Sequence, residues 1–460
     1  MPWVRPEQPV RRAVRPTVLA AALGVAACRL GAQGDGRPTS TAPQADSAAQ
    51  ARAAYRRAVG AYRQRDIATA RQEMRRAAEL WPTQQVYIEG AASLAAVARD
   101  TADAARWINR LAELGIGSAV AGDTGYRALV GAKVFDDAAT RLAAATAPVA
   151  RSAVRLTLAD TVLHPEGVAY DARSGRWFVG SVRQRRVVAV SRDGMVRDFV
   201  GPAADGIAGV FGMAVDSVRR TLWVATTALP RMEGFVATDS GRVGVFGYDL
   251  DSGRLRRAVW APRDSSTAHT FGDVTVAANG DVYVSDSQAP WLLRLPNGGD
   301  SLVRFLSHPL FRSLQGMAIT ADGAAVYVAD YSHGLLRVDL ATRSVVALRV
   351  AANVTALGID GLYVHRGALI GVQNGITPAR LVRFCLDADG RGIRRAELLD
   401  RNPALADEPT LGTIVGDSAF YVATSQWDKF DDAGRRAPGT TLRPASVLGV
   451  ALESRSACRP

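Results

Sequence analysis

From about residue 152 onward, apolar and polar positions follow one repeated scheme. An apolar run leads into a Gly/Asp/Asn turn, and a second apolar run follows. It reads GVAYDARSGRWFVGS from Gly167, GMAVDSVRRTLWVAT from Gly212 and DVTVAANGDVYVSDS from Asp273. It returns as GMAITADGAAVYVAD from Gly316, GLYVHRGALIGVQN from Gly361 and GTIVGDSAFYVATS from Gly412. Period-two alternation bounded by turn residues predicts paired strands. The copies begin about 45 to 60 residues apart, and a sheet that short cannot bury its faces alone. Six such units predict a mainly β chain with a six-bladed β-propeller over 151–460, the first strand of each copy lining a channel. The last copy lacks one strand after SVLGVAL, and residues 154–158 (VRLTL) alternate as an edge strand does, so they are expected to complete it.

A different period governs residues 49–117. Asp66, Ala70, Met74 and Ala77 recur 34 residues later as Asp100, Ala104, Ile108 and Leu111. Tyr55, Ala58 and Tyr62 precede the first set, and Pro82 follows it. The spacing resembles the tetratricopeptide repeat, in which small residues let antiparallel helices approach closely. It predicts an all-α, tetratricopeptide-like domain over 49–150, with one or two further helices in GYRALVGAKVFDDAATRL from Gly125. Its faces read as mostly Ala and Arg, without an aromatic anchor cluster, so a spacer is expected as readily as a protein-binding groove.

Residues 1–28 have the pattern of an export signal: basic residues up to Arg15, then a short apolar run. That run is too short to span a bilayer. It ends Val25-Ala26-Ala27-Cys28, which resembles a bacterial lipobox and makes Cys28 the expected lipidation site. Residues 29–48, rich in Gly, Ser, Thr, Gln and Asp, read as a flexible tether. The chain is thus expected to be exported, as a periplasmic or outer-membrane lipoprotein of a bacterium, touching membrane only through its lipid anchor. Cys385 and Cys458 remain, as an envelope disulfide or as a buried thiol and a frayed tail. The net charge of +12 does not indicate nucleic acid. The basic residues are nearly all scattered Arg, and no reading element accompanies them.

Candidate chemistry lies just before each repeat glycine, at the start of the innermost strand. Those positions hold Glu166, Phe211, Gly272, Gln315, Asp360 and Leu411, with Asp273 in the glycine slot of blade three. Converging carboxylates repel one another and tolerate that most easily around a cation; an oxygen-only set favours Ca²⁺. His164, two residues before Glu166, is a candidate base. His269, Asn374 and Glu408 are secondary candidates, while Asp286 and Asp330 read as turn caps.

At these residues the chain resembles the senescence-marker-protein/gluconolactonase family, with more distant likeness to arylesterase, strictosidine-synthase-like and NHL propellers. The resemblance covers the propeller only. It implies a Ca²⁺- or other divalent-metal-dependent hydrolase of sugar lactones or related esters. Glu166 and Asp360 match the family's metal ligands, Gln315 stands where Asn is expected, and only Asp273 is available in blade three. The resemblance thus implies metal ligation by Glu166, Asp273, Gln315 and Asp360, with catalysis at Asp360 beside the candidate base His164. Gln315, Phe211 and Leu411 support the alternative, a non-catalytic propeller that binds a small ligand or a protein.

Overall fold

A computed structural model describes residues 43–263, 267–452 and 458. Cys28 and the expected export segment lie outside the described residues. The chain forms two compact units, a helical one up to residue 147 with segments 352–355 and 376–378, and a β unit made of the rest.

The helical unit contains α1 (Pro43–Arg63), α2 (Ile67–Leu80), α3 (Gln85–Val97), α4 (Thr101–Leu114), a 3-10 turn (Thr124–Leu129) and α5 (Lys133–Thr146). The 34-residue period is a period of helix starts. Asp66 caps α2 by accepting the Thr69 N–H, and Asp100 caps α4 by accepting the Asp103 N–H, each at 3.0 Å. Small residues face inward as expected: Ala70, Ala77, Ala91 and Ala104 are fully buried. The structure also shows an aromatic group that the sequence reading missed. Tyr55 and Tyr87 lie 5.0 Å apart, and Trp81 meets Tyr87 edge-on at 6.3 Å. These residues sit on three different helices or helix ends, so no single stretch displayed the cluster.

The β unit is a six-bladed propeller. Each blade is an antiparallel sheet of four consecutive strands, with two exceptions. Blade five gains a short strand, Arg349–Val350, parallel to Gly392–Arg401. Blade six is completed by Ala153–Leu158, which pairs with Ala445–Ala451 and closes the ring as the alternation predicted. Apolar clusters fill the space between adjacent blades. Phe178, Val210 and Phe246 fill it between blades one and two, and Ile370, Leu381, Tyr421 and Leu448 between five and six. Asp286 and Asp330 are turn caps as read: Asp286 accepts the N–H groups of Thr270, Gln288 and Ala289, and Asp330 those of Arg312, Ser313, Ser332 and His333. Of the two readings of the cysteines, the disulfide is the one found: Cys385 is bonded to Cys458, with Cα atoms 5.1 Å apart.

The repeat glycine has a steric cause. The innermost strands are Pro165–Asp171, Gly209–Asp216, Phe271–Val276, Leu314–Ile319, Ile359–His365 and Gly412–Val415. At Gly167, Gly212 and Gly316, neighbouring inner strands come too close for a side chain. A Cβ on Gly167 would lie 2.4 Å from the Phe211 carbonyl oxygen of blade two, and one on Gly316 would lie 2.3 Å from the Asp360 carbonyl oxygen of blade five. The clash is with backbone, which cannot swing away as a side-chain tip can. Gly316→Ala is therefore expected to lower stability by about 1–3 kcal/mol. Gly60→Ala, in α1 where a Cβ meets nothing within 4 Å, is expected to raise it by about 0.5–1 kcal/mol. Denaturant titration of both variants, matched to the unit that unfolds, checks the contrast.

Candidate functional site: the channel mouth

Backbone irregularity aims the mouth residues. In blades one to five, the pairing between the inner strand and its neighbour shifts register at the repeat position. The shifts lie between Pro165 and Val168, Val210 and Met213, Phe271 and Asp273, Leu314 and Met317, and Ile359 and Leu362. Such a bulge takes its residues out of the ladder and redirects the side chain. The displaced residues include Glu166, Phe211, Gln315 and Asp360, the positions singled out by the repeat. Blade six joins the ring through Leu411, whose N–H donates to the Glu166 carbonyl at 3.2 Å, and Thr410, whose hydroxyl donates to the same oxygen at 2.8 Å.

The carboxylates are removed from water. Glu166, Asp360 and Asp273 are 2%, 2% and 6% exposed. Glu166 Oε2 accepts the Trp427 indole N–H at 2.6 Å and the Ser425 hydroxyl at 2.9 Å, both from the blade-six loop. Asp360 Oδ2 accepts the Asn374 amide at 2.7 Å, and the same amide nitrogen donates to the Pro409 carbonyl at 2.9 Å. Asp273 Oδ2 accepts the Met317 N–H of the next blade at 3.1 Å. Burial pushes the Asp273 carboxyl up to about 7, against the lowering effect of the Val274 and Met317 N–H groups; the charge of Asp360 adds to the rise.

Tyr363 joins this group. Its hydroxyl oxygen accepts the Gly412 N–H, and burial raises its pKa well above the usual phenol value, helped by the charges of Asp273, Asp360 and Glu166. Tyr363 stays protonated, and with its oxygen already accepting, its own proton is free to be donated.

In this arrangement one oxygen of each of the three carboxylates is turned to a protein donor. Among the described residues, no three His, Cys, Asp or Glu side chains gather closely enough to hold a metal ion. Glu166, Asp273 and Asp360 turn instead to the Trp427 indole, the Met317 backbone and the Asn374 amide. Gln315, half-buried, donates to the Ser313 hydroxyl at 3.3 Å. Its amide nitrogen is thus engaged with the residue just before its strand.

The histidines divide. His164 is buried, with left-handed backbone (φ 48°). Its ring lies edge-on to Trp427 at 4.5 Å and stacks on Phe430 at 5.1 Å. His269 meets Asp286 at 2.6 Å, and both are buried. Glu408 accepts the Asp428 N–H at 3.4 Å in the blade-six loop. Tyr363, Ser425 and Trp427 were not found from sequence. Trp427 lies in a loop with no repeat and no motif, 261 residues from its acceptor.

No protein-family model and no curated sequence matches this chain. Among solved structures, the propeller is similar to a gluconolactonase from Xanthomonas campestris, at 19% identity and TM-score 0.43, covering 67% of this chain and 93% of that one. A virginiamycin B lyase from Staphylococcus aureus aligns at 12% identity and TM-score 0.41, over 64% of this chain and 97% of that one. A luciferin-regenerating enzyme aligns at 14% and 0.44, over 66% and 95%. These likenesses concern the fold.

The shift of Asp273 gives a pH signature. Below about pH 4 the group is protonated whether the chain is folded or unfolded. Between about 4 and 7 the unfolded chain has released this proton and the folded chain retains it, so stability falls as pH rises through that window and levels off above it. Asp273→Asn is expected to remove that fall, a difference on the order of 4 kcal/mol by pH 8. Denaturation curves of wild type and variant at several pH values measure it.

Proposed function

We propose that the chain is a small-molecule hydrolase of lactone or ester type, working at the channel mouth. One observation carries the reading: Asp273, Asp360 and Tyr363 lie buried together in the channel, where burial raises the proton affinity of Asp273 and Tyr363. Groups whose environments push their proton affinities apart are the means by which a site runs acid and base chemistry together. In this reading the Asp360 carboxylate, oriented by Asn374, takes a proton from water as the water oxygen bonds to the acyl carbon. The Tyr363 hydroxyl donates to the developing oxyanion. Neutral Asp273 protonates the leaving alkoxide as the acyl C–O bond breaks. In this reading no step passes through a metal. His164 is assigned to holding Trp427 rather than to proton transfer.

The second reading, a binding propeller without turnover, is favoured by the Trp427 contact, which seals Glu166 away. A panel of lactones and esters, assayed with and without chelator, separates the two. Under the hydrolase reading the wild type turns over a panel member, chelator leaves the rate unchanged, and Asp360→Asn and Tyr363→Phe each lower kcat by about 100-fold with melting preserved. Absence of turnover by the wild type leaves the binding reading.

We further propose that the protein resides in a bacterial envelope, tethered through Cys28. The Cys385–Cys458 disulfide supports an oxidising compartment. Cys28→Ala is expected to move the protein from the membrane fraction to the soluble fraction, read by fractionation and immunoblot. Retention in the membrane fraction would argue against the lipid anchor.

A further inference from the structure

The blade-six loop fills the mouth with one side chain. Trp427 is 3% exposed. Its indole N–H reaches Glu166 at 2.6 Å, its ring is edge-on to His164 at 4.5 Å, and Phe211 lies 6.0 Å away. The Arg231 guanidinium sits 4.9 Å from its centroid. The ring is thus enclosed by an aromatic wall, a cation and a buried acceptor that takes its one polar hydrogen. Those are the elements of a site that recognises a flat aromatic with an N–H donor.

The loop that carries Trp427 is built as a separate piece. Gln426 and Arg443 pin its two ends together, through Gln426 Nε2 to the Arg443 carbonyl at 3.1 Å and the Arg443 N–H to Gln426 Oε1 at 2.7 Å. Its tip is held to other blades by side-chain donors on loop carbonyls. Arg231 reaches Phe430 and Asp431 at 3.2 and 3.1 Å, and Arg183 reaches Gly434 at 2.8 Å. Gln426, at the root, has left-handed backbone (φ 64°), as do its neighbours in the site, His164 (φ 48°) and Glu408 (φ 63°).

We infer that the channel mouth binds a planar aromatic ligand bearing an N–H donor, and that Trp427 occupies this site as an internal surrogate when the loop is closed. The inference rests on the mouth being the working site and not on its being hydrolytic. The loop swings as a unit about Gln426, and the ligand takes over the Glu166 bond and the place against His164.

Trp427→Gly in the full chain vacates the site, and indole is the probe. Indole is expected to bind the variant and raise its Tm, while benzofuran, the same shape without the N–H, binds at least about tenfold more weakly. In Trp427→Gly/Glu166→Gln that discrimination is expected to shrink to within about twofold, because the amide is a weaker acceptor than the carboxylate. Calorimetric titration of the two probes reads all of this. If Trp427→Gly does not fold, Trp427→Val keeps part of the packing and takes the same comparison. No indole binding to a folded variant, or equal binding of benzofuran, overturns the inference. A protein that binds indole selectively yet turns over no ester keeps this inference and loses the hydrolase reading; the opposite pair of results does the reverse.

Discussion

Everything at the channel mouth depends on how closely neighbouring inner strands approach one another. At Gly167 and Gly316 the next blade's backbone occupies the space a Cβ would need, and at Gly212 the Asp273 Cα lies 2.6 Å from it. This closeness needs a residue without a side chain in one position and a bulged partner beside it. The bulge releases the preceding residue from the ladder, and the lack of a Cβ leaves room for the neighbouring strand. Together they make a narrow ring in which Glu166, Asp273 and Asp360 are shut away from water.

Exclusion of water then sets the chemistry. A buried carboxyl loses its hydration, and backbone or neutral side-chain donors restore only part of it. Asp273 shows this directly, since two backbone N–H groups do not cancel the rise caused by burial. Tyr363 moves in the same direction for the same reason, with three carboxylates adding to it. At Asp273 and Tyr363 protons are therefore held more tightly than in solution. One oxygen of each of the three carboxylates is turned toward a protein donor.

The blade-six loop completes the enclosure, and it does so with residues the repeat says nothing about. Trp427 and Ser425 supply the donors to Glu166 from a stretch that interrupts the blade between its second and third strands. Arginines on blades one and two hold the tip by its carbonyls. The rigid ring positions the carboxylates, while the loop decides what meets them. The left-handed residues His164, Glu408 and Gln426 lie where ring and loop meet.

The sequence by itself determined the six blades, the closing strand, the helix period and the turn caps. Each is a local signal: alternation, a glycine, or an Asp before a helix or after a strand acts through neighbours a few residues away. It also marked Glu166, Gln315 and Asp360, because the repeat aligns them. Tertiary structure alone decided what those residues do. Glu166 is spent on a tryptophan in blade six, Asp273 on the backbone of blade four, and the Gln315 amide nitrogen on the serine just before its strand. It also decided between two readings of Cys385 and Cys458, and it revealed the Tyr55, Trp81 and Tyr87 cluster. The physical reason is common to all of these. A hydrogen bond, disulfide or ring contact depends on a distance of a few ångströms, and only the closed ring and packed helices bring together groups so far apart along the chain.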